Sequence, residues 1–276
     1  MRIGVVGLGY VGKAVVECFG AHHEVVAWDA ADATPYPREQ LAACDYAVVC
    51  VPTPALATGH CDISAVEDAI SALPCQRVLL KSTVPPGTTD RLAAATNKQL
   101  CFWPEYIGES PYYNPYFANA IEQVPFVIVG GEPSIRSWFV DVLTARLGPT
   151  KHYLQCSAIE AELAKYAENS YLATKVTFVN EFRRISEAFG ADWHTVREAW
   201  LLDPRMERMH TAAFADAPGF SGKCLPKDLR AIVAAAIDAG YAPGLLQQVL
   251  ASNEVIQATA VDARGPGSAD TSRPPG

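Results

Sequence analysis

Cys224 stands between Lys223 and Lys227 in the stretch Gly219-Phe220-Ser221-Gly222-Lys223-Cys224-Leu225-Pro226-Lys227-Asp228. A cysteine attacks carbon as its thiolate, and an isolated thiol, with a pKa near ~8.5, is only slightly ionised at neutral pH. Nearby cations and a helix N-terminus can bring it to roughly 3.5–7.5, where the thiolate is a major species. The sequence offers both. Pro226 suits a first helical turn, and Leu229, Ile232, Val233 and Ile237 recur at helical spacing up to Gly240. The stretch has the local chemistry of an activated thiol; the alternative is an inert cysteine buried in an apolar turn.

A second candidate lies at the opposite end of the chain. The apolar run Arg2 to Val6 leads into Gly7-Leu8-Gly9-Tyr10-Val11-Gly12 and then a helical pattern through Phe19. Strand, glycine turn and helix in that order let a pyrophosphate approach a helix N-terminus. A second strand, Glu24 to Trp28, ends in Asp29. A carboxylate there hydrogen-bonds a ribose 2′-hydroxyl and repels a 2′-phosphate, so NAD is expected over NADP.

Strands and helices must place these residues. Tyr46 to Val51 reads as a strand ending in Pro52-Thr53-Pro54, and Arg77 to Lys81 as another ending in Ser82-Thr83-Val84-Pro85-Pro86-Gly87-Thr88-Thr89. Leu100 to Trp103 precedes Pro104-Glu105-Tyr106-Ile107-Gly108-Glu109, and Pro125 to Val129 is the last expected strand. Helical patterns separate them, which predicts an α/β fold with a doubly wound, parallel, Rossmann-like sheet. In such a sheet the loops at the strands' carboxyl ends line the ligand crevice, which places Thr83, Glu105 and Glu109 toward the reactive end of a cofactor.

From Ser157 the pattern becomes all-helical, with one long helix to about Phe189. Lys165 and Asn169 are four residues apart and share a face of it. The domains expected are 1–154 for NAD, 155–262 as a helical domain for catalysis and dimerisation, and 263–276 as a disordered tail.

Bulk properties narrow the partners. A net charge of −8 argues against nucleic acid and anionic membranes, which need a basic face. The 8 cysteines form no C-x-x-C pair and the histidines no ligand spacing, so neither disulfides nor a metal site is expected. With no signal peptide and no apolar run of membrane-spanning length, a reduced, cytoplasmic protein is expected.

Taken together, GLGYVG, VPTP, STVPPGTT, the PE-x-x-x-E of Pro104 to Glu109, AELAKYAENSYLATKVTFVNE and GFSGKCLPKD resemble the UDP-glucose/GDP-mannose dehydrogenase family. The motifs occur in family order to about residue 258. The resemblance implies two NAD-dependent oxidations of a sugar CH2OH to a carboxylate, with Cys224 forming a thiohemiacetal and then a thioester. It implies Lys165 and Asn169 as holders of the reacting oxygen, Asp228 as a water-orienting carboxylate, and Thr83 and Glu109 as water and proton-relay residues. It places Gly7, Gly9, Tyr10, Val11, Gly12, Asp29, Pro52, Thr53, Thr83 and Lys227 at the cofactor. Glu105, Phe220, Ser221, Gly222 and either Arg205 or Arg208 are implied at the substrate. Family members pair through the long helix, so a homodimer is expected.

Departures bear on the substrate. The family carries a third domain that grips the uridine diphosphate, and this sequence reaches a polar tail where that domain begins. Ser221 and Lys223 replace residues of a GFGGSC pattern, and Tyr112, Tyr113, Tyr116 and Phe117 form an aromatic cluster after the acidic loop. The substrate expected is therefore a sugar, a nucleotide sugar or a nucleoside. Two further readings stay open: a redox-neutral dehydratase or epimerase using NAD transiently, and a non-catalytic dinucleotide-binding protein.

Overall fold

The apolar runs RIGVV, YAVV and RVLL are what strands buried on both faces require, and each forms one. The structure is a computed structural model describing residues 1–108 and 118–264, with side chains described to residue 258. It divides into two compact units, Met1–Ala167 and Glu168–Gly276.

The first unit alternates β1 (Arg2–Val6), α1 (Tyr10–Gly20), β2 (Glu24–Trp28), α2 (Arg38–Ala42), β3 (Tyr46–Val49), α3 (Ser64–Ala72), β4 (Arg77–Leu80), α4 (Thr88–Thr96) and β5 (Gln99–Phe102). It continues through β6 (Phe126–Gly131), α5 (Pro133–Leu147) and β7 (His152–Cys156) into α6 (Ala158–Ala188). The 7-stranded sheet has the order β2-β1-β3-β4-β5-β6-β7. The chain leaves β1 for β2 on one side and resumes with β3 on the other, so the winding reverses between β1 and β3. Ligands of open α/β sheets bind outside the carboxyl ends of strands at such a point.

Two features differ from the expected all-parallel sheet ending near residue 129. Strand β6 runs antiparallel to β5. Among the described residues no α-helix connects them, only the short 3-10 turn Ile121–Gln123, and a parallel return needs a crossover. Strand β7 then adds to the sheet parallel to β6, because α5 supplies the crossover. A boundary between 154 and 155 would cut this strand. Its exposed and half-buried residues, HYLQC, none of them fully buried, hide it from a search for apolar runs.

Core side chains fill both sheet faces. Val5, Val48, Leu79 and Val129 pack with Val15 and Phe19 of α1 and with Phe139 and Leu143 of α5. Val6, Val49, Leu80 and Phe102 pack with Val66 and Ile70 of α3 and Leu92 of α4.

Helix α6 begins with a reciprocal cap, in which the Ser157 backbone N–H donates to Glu160 Oε2 at 2.7 Å and the Glu160 N–H to Ser157 Oγ at 3.4 Å. The second unit holds the rest of α6 with α7 (Trp193–Trp200), α8 (Leu225–Asp238) and α9 (Gly244–Arg264). Ala173, Phe220, Leu229 and Val249 are the buried centre of one of its clusters. Helix α9 continues through Ala263 and Arg264, where a disordered tail was expected to have begun; residues 265–276 lie outside the described residues.

Candidate active site

The glycine turn after β1 is shaped by contacts only glycine permits. Gly7 has φ +92°, and a Cβ on Gly12 would lie 1.8 Å from the Gly7 carbonyl oxygen. Gly9, the N-cap of α1, has among the described residues no atom beyond its chain neighbours within 4 Å of a Cβ position. The helix N-terminus therefore opens onto space that a pyrophosphate can enter, with backbone amides and the helix dipole to receive it. Tyr10 donates from its hydroxyl to the Gly108 carbonyl at 2.7 Å, and Val11 is half-buried behind it.

Asp29 caps this turn from the end of β2. Its carboxylate accepts from Leu8 N–H at 2.5 Å and from Ala31 N–H at 2.8 Å. Those amides, Leu8 first, hold its pKa below the ordinary value, so the carboxylate is charged at neutral pH. Further along the crevice, Thr53 Oγ1 donates to the Thr83 carbonyl at 2.9 Å and Ser82 Oγ to the Val51 carbonyl at 2.7 Å. These bonds tie the loops after β3 and β4 together; Pro52 is exposed beside them and Thr83 is half-buried. An open glycine cradle, a charged carboxylate at the end of β2 and a reversal point at β1 and β3 fit a dinucleotide such as NAD.

The acidic loop after β5 is pinned from within. Glu105 Oε1 accepts from Tyr106 N–H at 2.6 Å and Ile107 N–H at 2.5 Å, while Oε2 lies 2.8 Å from Lys81 Nζ. The Lys81 ammonium also sits 3.8 Å from the Trp103 ring centroid and is almost fully buried. Glu105 is thus committed to its own loop and to Lys81. Lys165 is buried with Nζ 4.6 Å from the Tyr106 ring centroid. One turn earlier on α6, Glu162 accepts from Gly87 N–H at 2.5 Å, Thr89 N–H at 2.8 Å and Thr89 Oγ1 at 2.6 Å. It caps the start of α4, and burial pushes its carboxyl up to about 7 against those bonds. Glu109 and the aromatic cluster at 112, 113, 116 and 117 lie outside the described residues.

In the second unit, Cys224 is the N-cap of α8 and the exposed one of the 8 cysteines. The others are buried or half-buried, and burial pushes Cys18, Cys50 and Cys101 up to about 12 and Cys44 to about 11. One turn into α8, Asp228 is buried and accepts from Asn169 Nδ2 at 2.6 Å, and its Oδ1 lies 2.6 Å from Lys227 Nζ. Ser221, Gly222 and Lys223 are exposed, with Gly222 at φ +87°. Phe220 is different: its ring is in the core with Ala173, Leu229 and Val249.

A match to the NAD binding domain of the UDP-glucose/GDP-mannose dehydrogenase family covers residues 31–119, and a match to its central domain covers residues 159–255. The chain belongs to that family. UDP-glucose 6-dehydrogenase AglM of Haloferax volcanii is 28% identical over 92% of this chain and 70% of its own length. GDP-mannose 6-dehydrogenase of Pseudomonas putida is 26% identical over 92% of this chain and 68% of its own. The solved UDP-glucose dehydrogenase of Pyrobaculum islandicum superposes with a TM-score of 0.78 at 28% identity, covering 92% of this chain and 68% of that one. Against other family members the chain spans as little as 44% of the relative's length. The family's NAD binding domain and these dehydrogenases indicate NAD as the cofactor.

Within this family frame, the two arginines expected at the substrate are exposed and ion-paired. Arg205 Nη2 is 2.5 Å from Asp203, and Arg208 Nη2 is 2.7 Å from Glu198. Among the buried polar residues that escaped sequence reasoning are Lys81, Glu162 and Asn253. The signal for Lys81 was present, since a lysine closing an apolar strand needs an acidic partner. The same holds for Glu162, which sits among apolar residues at the start of a long helix. Among the described residues no group of three His, Cys, Asp or Glu side chains is placed to hold a metal ion, and no helix is long and apolar enough to cross a membrane.

Proposed function

We propose that this chain is an NAD-dependent oxidoreductase that takes a primary alcohol of a sugar or nucleotide sugar to a carboxylate through covalent attachment to Cys224. One observation carries the reading. The exposed thiol among eight cysteines caps a helix one turn from a buried, hydrogen-bonded carboxylate. When bound, NAD accepts a hydride at each of the two oxidations, so two equivalents are reduced per substrate.

The chain's own residues perform the remaining steps. Lys165 and Asn169 stabilise negative charge developing on the substrate oxygen, one as a cation and one through an amide N–H. The Cys224 thiolate adds to the aldehyde carbon, forming a C–S bond, and the carbonyl oxygen takes up a proton to give the thiohemiacetal. Loss of that proton and of the second hydride leaves a thioester. Water, oriented by Asp228, attacks it; the C–S bond breaks, the carboxylate forms and the thiolate is regenerated. Attachment keeps the aldehyde from escaping between the two oxidations.

Tyr171, Phe178, Phe182 and Ile185 are exposed along α6 at helical spacing, and the Phe178 ring lies tilted against Phe182 with centroids 4.8 Å apart. This stripe supports a homodimer paired through α6, which size-exclusion chromatography with light scattering would report at twice the chain mass. The eight cysteines, seven of them buried or half-buried and none in a C-x-x-C pair, support a reducing, cytoplasmic compartment.

The test is a screen of UDP-sugars, GDP-mannose, free sugars and nucleosides, followed by NADH absorbance and mass spectrometry. Two NADH per carboxylate product are expected, with turnover lost in Cys224→Ser. Product without net NADH would establish the redox-neutral alternative instead, and full activity in Cys224→Ser would remove the thioester.

A further inference from the structure

The backbone that leads to Cys224 is gripped at one residue, Phe220, by α9. Asn253 is buried; its Oδ1 accepts from Phe220 N–H at 2.8 Å and its Nδ2 donates to the Phe220 carbonyl at 3.0 Å. Gln257, one turn further along α9, donates from Nε2 to the same carbonyl at 2.8 Å. Both polar groups of one peptide residue are therefore satisfied by side chains, in the pattern a neighbouring strand would supply. Gly219 makes this approach possible. Its φ is +77°, and a Cβ there would lie 2.4 Å from Asn253 Oδ1 and 3.2 Å from Ile256 Cγ2.

Phe220 is four residues before Cys224, and Asp228, held by Asn169, is four residues after it. The thiol thus sits midway between two anchors, each made by a buried asparagine from a different helix. Between Phe220 and the helix only Ser221, Gly222 and Lys223 are exposed linker. A linker this short transmits the position of Phe220 to the residue that caps α8.

We infer that Asn253, assisted by Gln257, is a positioning residue for Cys224: it sets where the thiol stands at the α8 N-terminus without touching substrate or cofactor. The inference rests on the proposed role of Cys224 in turnover, but the geometry it asserts is readable without turnover. Hydrophobic packing alone would hold the Phe220 ring. Two-sided pairing of its backbone is what fixes the direction in which the chain leaves toward Cys224.

The experiment compares wild type with Asn253→Leu and Gln257→Ala. It measures iodoacetamide alkylation of Cys224 by peptide mass spectrometry, NAD binding by calorimetry, and kcat and KM on the substrate found by the screen. In Asn253→Leu, alkylation at pH 7 should slow about fivefold as the thiol leaves the helix N-terminus, and kcat should fall at least tenfold with misalignment of the reacting atoms. NAD affinity should stay within about twofold, because the glycine turn is untouched. Gln257→Ala, which leaves both Asn253 bonds in place, should give the same changes at roughly a third of the size. Unchanged alkylation and unchanged kcat in a folded Asn253→Leu protein would overturn the inference. Should that variant fail to fold, Asn253→Asp decides, since it keeps the acceptor for Phe220 N–H and loses the donor; wild-type alkylation and kcat there would also overturn it. If Cys224→Ser retains turnover, the catalytic reading falls while the alkylation result still judges the clamp.

Discussion

Asn169 on α6 donates its side-chain N–H to Asp228 Oδ2 on α8 at 2.6 Å, and both residues are buried. Fifty-nine residues of chain separate them. The bond does two things at once: it satisfies a buried carboxylate oxygen and orients the side chain one turn from Cys224. Asn169→Leu should cost about 2 kcal/mol, the usual penalty for leaving a buried acceptor unmatched. Adding Asp228→Leu should cost less than the sum of the two single changes, by about 1 kcal/mol or more. Urea denaturation of the four proteins measures this, and strict additivity would show that the two side chains do not cooperate.

Two glycines of the same turn should respond oppositely to alanine. Gly12→Ala places a methyl against the Gly7 carbonyl, so it should destabilise the first unit and abolish NAD binding. Gly9 has φ −64° and, among the described residues, open space at its Cβ position. Gly9→Ala should leave stability within about 0.5 kcal/mol yet weaken NAD at least about tenfold, because the pyrophosphate needs that space. Thermal melts and calorimetric titration separate the two effects. Equal NAD affinity in Gly9→Ala and wild type would argue against the cradle as the pyrophosphate site.

Glu162 predicts a pH dependence of stability. Desolvation, partly offset by its bonds to Thr89 and Gly87, raises its carboxyl from 4.5 to about 7 in the folded chain. The folded state therefore binds the proton more tightly than the unfolded state. Its contribution is full below about pH 4.5 and is lost as pH rises through about 7, a span of roughly 3 kcal/mol. In Glu162→Gln that part of the slope between pH 5 and 8 should vanish. Denaturation midpoints across this range provide the measurement, and parallel curves for the two proteins would count against the assignment.

The buried pair of Lys81 and Glu105 should be costly to break and cheaper to remove. With side-chain exposures of 2% and 12%, Lys81→Met leaves Glu105 a buried charge without its cation, at about 3–5 kcal/mol. The double change Lys81→Met with Glu105→Gln should recover more than half of that loss. Chemical denaturation again reads the result. A double variant no more stable than Lys81→Met would mean the lysine acts through the Trp103 ring rather than through Glu105.

What the sequence determined by itself was local or periodic. The glycine turn and Asp29 follow from the steric needs of a strand-turn-helix unit, and the alternation of apolar runs with helical spacing specifies the wound sheet. The helix that Cys224 caps was legible because Pro226 and the apolar spacing that follows it are all within a few residues. Six ordered motifs carried the family. Strand β7 was missed because its side chains lack apolar contrast, and the reversal of β6 because direction depends on how the chain crosses the sheet rather than on which residues form the strand.

Only the tertiary structure decided the partners of buried polar groups. Lys81 meets Glu105, Glu162 meets Gly87 and Thr89, Asn169 meets Asp228, and Asn253 meets Phe220. A buried charge or amide announces that a partner is required, since burial without one costs more than the fold can spare. It does not announce which one. That choice is made by strands and helices brought together across tens of residues, where a difference of one turn or one register step exchanges every neighbour.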